Sequence, residues 1–248
     1  MTCFKNIIIL LICIFVLIIG CISAPPPRET TPVETRETSI MTTGETITID
    51  INKDLLKAAL QGETSELKVL LESEEDLDAK MRDGRTALLL ASVRCHTEVV
   101  QILLDAGIDV NGETIRGGTA LMWAAGSREN PTETVRVLLN AGANVNAKTV
   151  DGRTALMDAT VRGNTETARV LIEAGAEVNE KTEDGVTALM EAGRLGHIEI
   201  ARLLRDNGAD MKAVNREGRT ALMEAEAADH TDIVQLLRNA GAAEEHNN

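Results

Sequence analysis

Histidines, cysteines and carboxylates are the residues of this 248-residue sequence best suited to chemistry, and their spacing decides what they could do. His96, His197 and His230 would form a metal site only by converging, because zinc ligands sit about 2 Å from one ion. Each instead stands at the same place in a recurring sequence pattern. That spreads the three along a stack at about 10 Å per unit, the distance at which helices pack. There is no His-Glu-x-x-His, no phosphate-cradling glycine loop and no paired-cysteine metal motif. Carboxylates are plentiful, with 39 Asp and Glu in all, but abundance alone identifies no acid–base pair. The sequence therefore predicts no catalytic residue, metal, cofactor or small-molecule substrate, and the chain is not expected to be an enzyme.

The cysteines point elsewhere. Lys5 precedes an unbroken apolar stretch, Ile7 to Ile19, followed by Gly20 and Cys21. As a helix that stretch would span about 20 Å, short of the roughly 30 Å hydrocarbon core, so residues 1–20 read as a signal peptide. Ile18-Ile19-Gly20-Cys21 resembles the lipobox of prokaryotic lipoproteins, although that family more often has Ala or Ser at the second position. The resemblance implies cleavage before Cys21, lipidation of its thiol, and a cell-envelope location outside the cytoplasm. Cleavage after Ala24 is the alternative, but it would leave Pro25 directly after the cut. Once Cys3 and Cys13 are removed and Cys21 is acylated, Cys95 is the remaining thiol and no internal disulfide can form. Residues 21–50 are rich in Pro, Thr and Glu, as in Pro25-Pro26-Pro27 and Glu34-Thr35-Arg36-Glu37, and read as a disordered, solvated linker.

The elements that position everything else come from an internal period. Thr-Ala-Leu recurs at Thr86, Thr119, Thr154, Thr187 and Thr220, each copy two residues after a glycine (Gly84, Gly117, Gly152, Gly185, Gly218). Leu103-Leu104, Leu138-Leu139 and Leu203-Leu204 precede Gly107, Gly142 and Gly208. In one unit, Thr154 is suited to cap a helix that places Leu156 and Ala159 on one face. Gly163 is suited to end that helix in the left-handed conformation. A second helix would present Ala168, Leu171 and Ile172 inward. Helices this short cannot bury their apolar stripes alone, so the units must stack. The near absence of aromatic residues suits such close stacking.

This pattern resembles the ankyrin repeat and implies an all-α repeat solenoid over 51–248. About six repeats are expected, at 51–82, 83–115, 116–150, 151–183, 184–216 and 217–242. The family's Thr-Pro-Leu-His is Thr-Ala-Leu-Met or Thr-Ala-Leu-Leu here, so the buried histidine's hydrogen bond must be absent or replaced. Cys95 and Asp229 occupy the helix-ending glycine position, where a positive φ would cost on the order of 1 kcal/mol. The first unit reads as an N-terminal cap, and the last ends at Gly241. Two extra residues in the third unit include Asn130 and Pro131, expected as the cap and first residue of its second helix.

The resemblance also implies a binding groove along the turn tips and the first helices. Position by position, that selects Arg85, Arg153, Val186 and Arg219 before the threonines. Four residues after them stand Leu90, Trp123, Asp158, Glu191 and Glu224. The groove is expected to be apolar about Leu90 and Trp123, then mixed acidic and basic. Trp123 reads either as a binding anchor or as a space filler, and the charged residues either as contacts or as a solvated face of weak ion pairs. The net charge of −14 argues against nucleic acid as a partner. The expected function is a membrane-tethered protein–protein interaction module, a scaffold or adaptor with a protein partner. The alternative is an inhibitor or immunity protein that occludes an enzyme or toxin.

Overall fold

The computed structural model describes residues 38–42, 45–49, 51–72 and 79–245, with side chains described within 54–72 and 79–240. Two strands come first, β1 (Thr38–Thr42) and β2 (Glu45–Ile49), antiparallel with Ile40 opposite Ile47. They lie within the stretch expected as disordered linker, and the departure has a local cause. Thr and Ile dominate both strands, and β-branched residues favour extended pairing.

Six helix pairs follow. The first helices of the pairs are α1 (Ile51–Gln61), α3 (Ala87–Val93), α5 (Ala120–Ala125), α7 (Ala155–Arg162), α9 (Ala188–Leu195) and α11 (Ala221–Ala227). The second helices are α2 (Thr64–Leu71), α4 (Thr97–Asp105), α6 (Thr132–Asn140), α8 (Thr165–Glu173), α10 (Ile198–Asp206) and α12 (Thr231–Glu245). Each first helix packs on the next first helix, and each second helix on the next second helix. The result is the two-row all-α solenoid that the period implied. α12 continues through Gly241 to Glu245, four residues beyond the expected end.

The Thr-Ala-Leu motif sets the start of every unit from the second to the sixth. Each threonine hydroxyl accepts the backbone N–H three residues on, at 3.3–3.4 Å, a cap typically worth about 1 kcal/mol. The alanine and leucine that follow are buried from the second unit to the fifth. In those units the next residue (Leu89, Met122, Met157, Met190) is buried too, filling the site where the family carries histidine. Met223, at the same place in the last of the described units, is 49% exposed.

Gly163 and Gly196 end their helices at φ +73° and +77°. A Cβ on either would also meet the next unit's histidine, at 2.9 Å from His197 Cε1 and 2.7 Å from His230 Cε1. Cys95 (φ +51°) and Asp229 (φ +58°) carry the same backbone strain without glycine, as expected. Neither has a histidine above it: the third unit supplies Ser127 instead, and Asp229 belongs to the last unit.

Units are also joined by polar ladders. Asn111, Asn146 and Asn179 each donate from Nδ2 to a glycine carbonyl of the next unit, at 3.3, 3.0 and 3.0 Å. Each also accepts a backbone N–H from that unit, at 2.8, 2.9 and 2.7 Å. The turn tips repeat the device with backbone atoms alone. Ile115 N donates to Asp83 O (3.1 Å), Val150 N to Arg116 O (2.9 Å), Glu183 N to Asp151 O (2.9 Å) and Arg216 N to Asp184 O (2.7 Å).

The third unit's extra residues are pinned from both sides. Ser127 Oγ donates to Val93 O at 2.9 Å, and Asn164 Nδ2 donates to the carbonyls of Ala125 and Ser127 at 3.0 and 2.9 Å. The expected Asn130 cap does not form. Asn130 holds φ +37°, outside the extended backbone that a capping side chain needs, and Pro131 precedes the helix in its place.

Candidate functional site

In two of the units the tip residue before the threonine bonds to the helix residue four places after that threonine. In the fourth unit Arg153 donates to Asp158 Oδ1 from Nε (3.1 Å) and Nη2 (2.7 Å). In the sixth, Arg219 Nε reaches Glu224 Oε1 at 2.7 Å and Nη2 reaches Oε2 at 3.2 Å. Burial pushes the Asp158 carboxyl above its ordinary value of 3.8, and the Arg153 hydrogen bond and charge only partly oppose it. The Glu224 carboxylate raises the Arg219 guanidinium still further above its ordinary range.

The remaining units break this pairing. In the fifth, Val186 packs against the core and Glu191 turns to Arg194, whose Nε and Nη2 donate to it at 3.0 and 2.5 Å. In the second, Arg85 turns to Asp83 at 2.7 Å because Leu90 offers no carboxylate. Leu90 is only 5% exposed.

The third unit holds Gly118 and Trp123. The indole lies part-buried against the core, and a Cβ on Gly118 would stand 2.9 Å from its Nε1 and 3.0 Å from Thr114 Oγ1. The missing side chain is therefore what makes room for the ring. A hollow of about 260 Å³ opens beside it, with Arg85, Ile115, Arg116, Gly118, Trp123 and Arg153 in its lining. Ile115 is 74% exposed, and Val150, at the same place on the next tip, is 64% exposed. Neither was selected from the sequence. The signal was available two residues before each tip glycine, where the series runs Arg82, Ile115, Val150, Glu183 and Arg216. A larger hollow of about 580 Å³ between 205–212 and Asn239 has no aromatic anchor.

The other chemical candidates separate. His96 Nε2 lies 3.2 Å from Leu60 O, and the three histidines sit one to a unit, each against the glycine of the unit before. Among the described residues no group of three or more His, Cys, Asp or Glu side chains is placed to hold a metal ion. Burial raises the Cys95 thiol, which keeps it protonated and a poor nucleophile. No described helix is long and apolar enough to cross a membrane. Cys21 and residues 1–20 lie outside the described residues.

A family model described as ankyrin repeats (3 copies) matches residues 50–114, 112–182, 129–215 and 179–248. Among solved structures, an ankyrin repeat domain from Acinetobacter baumannii AYE is similar at a TM-score of 0.67 and 32% sequence identity. That likeness covers 75% of this chain and 97% of that one. No curated protein gives a significant match.

Proposed function

The chain belongs to the ankyrin-repeat family, and on that premise we propose that it is a membrane-tethered protein-binding module whose partner seats over Trp123. Ankyrin stacks are protein–protein interaction modules, and the observation that selects this seat is the hollow beside the indole. Elsewhere along the groove, Arg153, Arg219 and Glu191 have their charges engaged by neighbours in their own units. At the third unit a large aromatic ring and an exposed isoleucine line one hollow. Clustered exposed apolar side chains on a soluble surface mark interaction sites, and tryptophan is enriched among the residues that dominate binding energy.

The tether rests on Ile18-Ile19-Gly20-Cys21 and the apolar run before it. An acyl chain on Cys21 would hold the repeats at the outer side of a prokaryotic membrane, with the following residues as spacer. Incorporation of labelled fatty acid that is lost in Cys21→Ala tests this half of the proposal. Crosslinking in cells tests the seat. Partners recovered with wild type should be depleted in Trp123→Ala of equal melting temperature, and equal recovery of every partner would remove the seat from consideration.

A further inference from the structure

The third unit is the only one of the six with a positive balance. Residues 116–150 carry Arg116, Arg128, Arg136 and Lys148 against Glu129 and Glu133, in a chain of net charge −14. Three of these cations are occupied at the next unit, Arg116 with Asp151 at 2.8 Å, Arg136 with Glu166 at 3.3 Å and Lys148 with Glu180. The inserted loop is different. Arg162 reaches back from the fourth unit to give Nε to the Gly126 carbonyl at 2.7 Å; it forms no ion pair among the described residues, although its charge acts on the Asp158 carboxyl. Arg128 is exposed and makes no hydrogen bond or ion pair among the described residues. Arg94 reaches Glu129 only at 3.8 Å, with more than half of each side chain exposed. Arg94, Arg128 and Arg162 thus stand at the loop, with Glu129 as the one ion-paired carboxylate there among the described residues.

The loop and the Trp123 hollow flank α5, at its end and its start. A six-residue helix is about 9 Å long. An extended chain rises about 3.3 Å per residue, so a strand lying along the groove would cover that distance in about three residues.

From this juxtaposition we infer that the seat takes an acidic polypeptide segment in extended form. An apolar side chain enters the hollow, and a carboxylate about three residues away meets Arg128 and Arg162. The inference rests on the Trp123 seat proposed above and adds the chemistry of its occupant. Attraction of this kind falls with salt, since the charges involved are exposed.

The test is selection from a random peptide display library against the full-length protein, followed by titration of selected peptides. Trp123 is the sole tryptophan and tyrosine is absent, so intrinsic emission reports the hollow without labelling. The expected result is enrichment of peptides carrying Asp or Glu about three residues from an apolar residue. Their binding should shift Trp123 emission and weaken about tenfold in Arg128→Glu, with weakening also at high salt. Arg128→Lys should keep most of the affinity, and matching far-UV spectra would show that the variants fold. Trp123-dependent peptides with neutral or basic flanks would overturn the inference and leave the seat standing. A library yielding no Trp123-dependent peptide would overturn both. Vesicles of anionic phospholipid that outcompete every selected peptide, through the same arginines, would also overturn it.

Discussion

In the fourth unit Arg153 and Asp158 close on each other at 2.7 Å, while in the third the same two positions hold Gly118 and Trp123. The scaffold beneath them is the same. Thr119 and Thr154 cap α5 and α7 in the same way, and Ala-Leu-Met is buried after each. Stacking therefore places no demand on the groove pair, and its composition is free to serve something else. A bonded arginine and carboxylate satisfy each other and offer a partner little. An indole held open by a glycine offers an aromatic surface beside exposed isoleucine. The sharpest way to break the contrast is Trp123→Ala. Partner affinity is expected to fall by about 2 kcal/mol or more, roughly thirtyfold, as for a buried aromatic anchor. Titration calorimetry or a crosslinking yield would measure it. Unchanged affinity with an intact fold would make Trp123 a space filler.

Gly118→Ala attacks the same contrast from below. The added Cβ has no space, at 2.9 Å from the indole nitrogen and 3.0 Å from Thr114 Oγ1, so the ring or its tip must move. Overpacking of this kind costs about 1–3 kcal/mol. Urea denaturation should show the loss, and Trp123 emission should shift in the native state. A variant with wild-type midpoint and emission would show that the ring is not held against Gly118.

A gentler intervention rebuilds the fourth unit's pair in the third. Gly118→Arg with Trp123→Asp should form a tip-to-helix ion pair and abolish capture of the partner. A part-exposed pair contributes under about 1 kcal/mol, so it offsets only part of the lost indole packing and stability should fall. Partner capture that survives the exchange would place the seat elsewhere in the groove.

The sequence made the scaffold readable and the groove only partly so. Threonine caps, Gly163 in the left-handed region, and strain at Cys95 and Asp229 follow from single residues whose local chemistry leaves few choices. The low exposure of Leu90, 5%, was not legible, because a position counted from Thr86 shows which way a helix faces and not how far its neighbours cover it. The Arg153–Asp158 bond spans five residues across a turn, so no helix-pair rule at three or four residues predicts it. Only the fold, which turns the tip back over the start of α7, brings the two together. Ile115 and Val150 escaped notice for a related reason. Their exposure depends on how the tips hydrogen-bond to one another, and that register is visible only once the units are stacked. The hairpin at Thr38–Ile49 was missed because composition over the whole linker hid a short run of Thr and Ile.

The smallest expected effect concerns the bonded pair itself. Burial raises the Asp158 carboxyl above its ordinary value of 3.8 despite Arg153, so folding disfavours its charged form relative to the unfolded chain. A group raised in this sense contributes stability that is complete below the unfolded value and is lost as pH climbs through the folded one. At neutral pH the carboxylate is thus held less well in the folded chain than in the unfolded one, and Asp158→Asn, which keeps the shape and removes the charge, should equal or exceed wild type there. As pH falls from about 7 to about 4, wild type should gain on the variant as its carboxyl takes up a proton. Paired thermal melts across that range would show the difference, since shifts at other carboxylates cancel between the two proteins. Wild type that is more stable than Asp158→Asn at neutral pH and loses that lead on acidification would reverse the sign. The guanidinium of Arg153 would then outweigh burial, and the fourth unit's pair would stabilise the stack and not merely close the groove.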